Sequence, residues 1–196
     1  MCGFKLRPMI LKSCIQRPGV HLLICGMMLL LLTSCATGKV VQKTDSPSDP
    51  IGQIMEVQDL EGNSATLSEA FENQPMLVVF FATYCVPFIH MIPALNSIQG
   101  IYAPRGFSVV GISLDLQPNI MLPPFVEEFK VDFPVLVGDD RLKNENMTPH
   151  GRIAEIPTYW LLDPQGNLVF QAAGVVSSAD LDKRIRNLLL DNRSTD

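Results

Sequence analysis

At 196 residues, with 47% apolar and 18% charged side chains, the chain is too hydrophobic for a disordered protein and suits one globular domain behind a leader. Its formal net charge is −5, but residues 1–34 hold Lys5, Arg7, Lys12 and Arg17 and no acid, so the remainder carries −9. A surface that acidic disfavours phosphate contacts and excludes a nucleic-acid partner; its simplest purpose is solubility.

The chain opens with a basic stretch followed by an apolar or small-residue run, residues 22–32, which is too short for a transmembrane helix and reads as a secretory signal. Leu32-Thr33-Ser34-Cys35 follows directly and resembles the lipobox of bacterial lipoproteins. The resemblance implies residues 1–34 as a signal peptide. It also implies that Cys35 carries lipid, anchors the protein to a membrane of the cell envelope and faces it to the periplasm. Of five cysteines, Cys2, Cys14 and Cys25 then leave with the leader, and Cys85 remains as the lone thiol of an exported domain.

Residues 35–50, rich in Thr, Lys, Ser, Asp and Pro, read as a lipidated tether. The domain is expected over 51–191, with a tail at 192–196. Ile54–Asp59 and Ala65–Leu67 flank Glu61-Gly62-Asn63 and predict a hairpin, and Ser68 with Glu69 predicts the cap of a short helix. Residues 76–81 and 107–114 are continuous apolar runs, which suit strands buried on both faces. Residues 86–103 between them fit a helix with Pro93 inside, completing a right-handed βαβ unit.

A short helix over 124–130 and a strand over 133–137 are predicted next, then a polar stretch, 138–152, in which Asp139-Asp140 reads as a solvated turn. Thr158–Leu162 and Leu168–Gln171, joined by Asp163-Pro164-Gln165-Gly166-Asn167, predict a second hairpin with Trp160 and Phe170 in its core. An amphipathic helix over 178–190 ends the pattern.

One segment adds a family. Phe81-Ala82-Thr83-Tyr84-Cys85-Val86-Pro87-Phe88, with Pro93-Ala94-Leu95 beyond it, resembles the W-A-x-W-C-x-P-C…P-A-L segment of the TlpA/ResA-type thioredoxin-like proteins. Glu155-Ile156-Pro157-Thr158, followed by a hydrophobic strand, Asp163 and Gly166, resembles that family's G-I-P-T segment, whose proline is cis. The resemblance implies an α/β thioredoxin-like fold, a central mixed sheet sandwiched by helices. It places Cys85 at the strand-to-helix turn as the nucleophile. Tyr84, Pro87, Phe88, Ile156 and Pro157 would then contact the substrate, with Pro157 presenting Ile156 beside the sulfur. At a helix N-terminus, unpaired N–H groups and the macrodipole favour a thiolate, while apolar Val86 and Phe88 act against it.

The departure from the family is Phe88, which stands where the second cysteine belongs; Tyr84 replaces a Trp, and Met91 an acid often found there. A two-cysteine cycle within the chain is excluded. Two readings stay open. In one, Cys85 is a monothiol oxidoreductase forming mixed disulfides with envelope protein thiols or disulfides, resolved by an external thiol or reductase. In the other, the domain is a non-catalytic binding module, with Phe88 adding apolar surface to its groove. A single-cysteine peroxidase is disfavoured, because the Thr of that relative's P-x-x-x-T-x-x-C lies three residues before the Cys and Thr83 lies two. His90 reads as a surface residue, and His150 as one able to approach the site. No His or carboxylate spacing suggests a metal, and no phosphate-binding loop or other cofactor motif is present.

Overall fold

The computed structural model describes residues 50–193, with side chains to Asp191. The expected signal segment, Cys35, the expected tether up to Asp49 and the last three residues lie outside the described residues.

Strand β3 (Met76–Phe81) organises the molecule. All six of its residues are buried, and they alternate between two cores. Leu77, Val79 and Phe81 face one side, Met76, Val78 and Phe80 the other. On its flanks lie β4 (Ser108–Ser113), parallel to it, and β8 (Thr158–Leu162), antiparallel. Strand β5 (Val135–Gly138) runs parallel to β4. The hairpin β1 (Glu56–Gln58) and β2 (Ser64–Thr66) extends that edge, and β9 (Leu168–Ala173) closes the other. The order is β2-β1-β5-β4-β3-β8-β9, a mixed seven-stranded sheet.

Helices cover both faces. The first core receives α3 (Val86–Tyr102), α4 (Pro118–Phe129) and α6 (Ser178–Arg193). The second receives α1 (Ile51–Ile54), α2 (Leu67–Ala70) and α5 (Asp140–Glu145). This is the α/β mixed sheet between helices that the residue pattern implies. The crossover β3–α3–β4 puts the start of α3 at the C-terminal end of the central strand, where Cys85 stands.

Three local expectations are corrected. The cap of α2 is Thr66, not Ser68: Thr66 Oγ1 accepts from the Glu69 N–H while the Glu69 carboxylate accepts from Thr66, a full capping box. Helix α4 begins at Pro118, six residues before the predicted start, with a proline in its first turn and Pro123 and Pro124 inside it. Asp139-Asp140 is no free turn; Asp139 caps α5 by accepting from the Leu142 N–H at 2.8 Å. The short strands β6 (Met147–Thr148) and β7 (Gly151–Arg152) pair in the same polar stretch.

Candidate active site

Strand β3 ends at Phe81, and the chain must turn sharply to enter α3. The Cys85 N–H donates to the Ala82 carbonyl at 2.9 Å, and the Cys85 carbonyl accepts from the Ile89 N–H at 3.1 Å, which makes Cys85 the N-cap of α3. Pro87 lies in the first turn, where a missing N–H is harmless.

A residue that the sequence reading passed over holds this turn in place. Asp115, 5% exposed, follows β4 and reaches across to Thr83. Its carboxyl oxygens accept from the Thr83 N–H at 3.1 and 3.2 Å, from Thr83 Oγ1 at 2.9 Å and from Ser113 Oγ at 2.9 Å. The clasp binds two chain segments 32 residues apart. The local signal was Ser113-x-Asp115 at the end of an apolar strand, but nothing in that triplet names Thr83 as its partner.

The second wall of the site is the loop before β8. The Ile156–Pro157 bond is cis. Thr158 Oγ1 donates to the Glu155 carbonyl at 2.6 Å, and the Gly174 N–H donates to the Pro157 carbonyl at 2.8 Å, so the loop is tied at both ends. Tyr84 and Ile156 line one groove of about 320 Å³, together with Leu114, Leu116 and Glu155. A second depression, also bordered by Tyr84, is lined by Leu116, Gln117 and Met121. Tyr84 is 74% exposed, Val86 57% and Leu116 79%, an apolar collar around the turn. Leu116 and Met121 belong to this collar, and their positions after β4 gave no sign of it.

Cys85 itself is a free thiol and is only 6% exposed, packed in the first core beneath that collar. Phe88 overturns one expectation. It is wholly buried, stacked on Phe81 and facing Phe125, and offers no surface to a groove. The reason is helical phase: Phe88, Ile92, Leu95 and Tyr102 form the inward stripe of α3. His90 is on the exposed side of the same helix. His150 does not approach the thiol. Its ring packs edge-on to Trp160 at 6.3 Å, in the opposite core, where burial lowers its pKa. Tyr159, two residues past Pro157, is fully buried in the same core cluster as Cys85; burial, and secondarily the charge of a Cys85 thiolate, push its hydroxyl up to about 12.

The sequence matches the AhpC/TSA family over residues 51–171, a span that contains the Cys85 turn, the Asp115 clasp and the cis-proline loop.

The chain belongs to the AhpC/TSA family.

Within this thioredoxin-like family its curated relatives are distant. The thiol-disulfide oxidoreductase ResA of Geobacillus kaustophilus is 24% identical, over 66% of this chain and 71% of that protein. ResA of Geobacillus thermodenitrificans is 22% identical over 85% and 95%. Among solved structures, a thioredoxin-family thiol:disulfide interchange protein of Chlorobium tepidum superposes with a TM-score of 0.58 at 26% identity, over 72% of this chain and 98% of that one. A putative DsbE from the same organism gives 0.59 at 20% identity, and that likeness shows the fold. Among the described residues of this AhpC/TSA member, no three His, Cys, Asp or Glu side chains gather as a metal site.

Proposed function

We propose that the protein is a thiol-disulfide exchange factor of the cell envelope that acts through the single sulfur of Cys85. The observation that carries this reading is the placement of Cys85 at the N-cap of α3, beneath an exposed apolar collar that shares a groove with Ile156 of the cis-proline loop. The relatives named above are thiol-disulfide oxidoreductases, which supports the reaction class.

The Cys85 thiol loses its proton to solvent, and the thiolate attacks one sulfur of a partner disulfide. A new Cys85–partner disulfide forms, the old S–S bond breaks, and its electron pair leaves on the second partner sulfur, which takes up a proton. Phe88 cannot complete the cycle. An external thiolate attacks the partner sulfur of the adduct, and the electron pair of that bond returns to Cys85. The collar of Tyr84, Val86 and Leu116 gives a partner segment apolar contact next to Cys85, which keeps 6% of its surface exposed.

The test uses oxidised glutathione. Incubation with the reduced protein is expected to add one glutathione to Cys85, seen as a mass gain on its peptide, and a free thiol is expected to reverse it. Addition no faster than to the same peptide unfolded would overturn the reading.

The burial of Cys85 favours a second reading, a binding module that holds a partner on the collar without chemistry. Cys85→Ser separates the two: retained partner capture supports binding alone, and loss of reductant-sensitive adducts with loss of capture supports exchange. The envelope location rests on Cys35. Labelling with a fatty acid is expected in the native chain and absent in Cys35→Ser.

A further inference from the structure

The mechanism leaves one buried polar group near the thiol without a task. Tyr159 is 0% exposed, and its hydroxyl has no hydrogen-bond partner among the described residues. Buried hydroxyls are normally paired, and a Phe would fill this space with no polar atom to satisfy. Strand register fixes the direction of the ring. Tyr159 stands opposite Val79 on β3, on the face where Leu77, Phe81, Phe88 and Cys85 form the first core. Tyr159 and Cys85 belong to one buried cluster, no hydrogen bond joins Oη to Sγ in this structure, and the phenol holds its proton up to about pH 12. Throughout the pH range of thiol exchange the phenol is therefore a donor.

We infer that Tyr159 is a positioning residue for Cys85, its hydroxyl donating a hydrogen bond to Sγ whenever that sulfur bears negative charge. The inference rests on the reading of Cys85 as an exchanging thiol. A neutral thiol is a weak acceptor and draws little on a donor; a thiolate is a strong one. The hydroxyl is thus unpaired while the thiol is protonated and engages before attack and again when Cys85 leaves the mixed disulfide. Oη keeps its proton in both steps. The charge on Sγ comes first from the thiol proton lost to solvent and later from the electron pair of the cleaved S–S bond.

The test is Tyr159→Phe in the full chain, with iodoacetamide as probe and the Cys85 peptide quantified by mass from pH 5 to pH 10. At pH 7 the variant is expected to alkylate about tenfold more slowly than the native protein, and the gap to narrow as pH rises. Its thermal midpoint is expected to match or exceed that of the native chain. Superimposable rate profiles would overturn the inference and leave thiol exchange standing. A rate lowered by the same factor at every pH would mean altered access only, and would overturn it as well. A native Cys85 that is never alkylated would overturn both.

Discussion

Phe88 lies on Phe81 with ring centroids 4.1 Å apart and planes 21° from parallel, three residues beyond Cys85 on the inward stripe of α3. The position from which a second thiol would attack Cys85 is thus occupied by aromatic core, and Phe125 extends the stack on its other side at 6.2 Å.

Phe88→Cys is expected to restore an internal disulfide with Cys85 under mild oxidation, read by thiol titration and mass. The reduced variant should lose roughly 2–4 kcal/mol in urea unfolding, because the small side chain leaves a cavity against Phe81 and Phe125. Adducts with glutathione should then be short-lived, since a thiol of the same chain can release them.

Asp115→Ala removes the acceptor for Thr83 and Ser113. The Thr83 N–H is left part-buried without its partner, and a loss of about 2–3 kcal/mol is expected in the same assay. Asp115→Asn keeps an acceptor oxygen and should fall between. If the clasp positions the turn, the rate of adduct formation at Cys85 falls with both variants in that order. An unchanged rate in Asp115→Ala would show that the turn holds without it.

Tyr159 makes stability fall in alkali. Its folded value, about 12, lies above the ordinary 10.0, so above pH 10 the unfolded chain gives up this proton first. Stability drops between pH 10 and about pH 12 with a slope of about 1.4 kcal/mol per pH unit from this group. Tyr102, raised by burial and then by its bond to Asp182, adds a loss of the same sign. Tyr159→Phe should remove only the first contribution and gain roughly 1 kcal/mol at pH 7 by deleting an unpaired buried hydroxyl. Urea titrations at pH 8 and pH 11 measure both effects.

His150 acts at the other end of the scale. Burial holds its folded value below the ordinary 6.5, so as pH falls through 6.5 the unfolded chain takes up the proton first. The resulting loss of stability grows until the folded imidazole also charges, and is constant below that. His150→Gln should flatten this part of the profile and leave Cys85 chemistry unchanged, because His150 sits against Trp160 in the opposite core. A change in the Cys85 alkylation rate would contradict that separation.

The sequence by itself determined what neighbouring residues can encode. Six consecutive apolar residues, 76–81, specified a strand buried on both faces, and the Gly62 and Gly166 turns, at φ +89° and +83°, marked the hairpins. The Cys85-x-Pro87 turn and the Ile156-Pro157 loop were legible in order through the family resemblance, and the amphipathic stripe marked the last helix. What only the tertiary structure decided depends on residues far apart in the chain. Whether Phe88 faces a partner or the core follows from helix phase relative to Phe81 and Phe125, which two other elements supply. The Asp115–Thr83 clasp and the Tyr159 hydroxyl beside the Cys85 core are likewise products of sheet order and strand register. Periodicity reports which face of an element is apolar; which side chain meets which is set only when the faces close on one another.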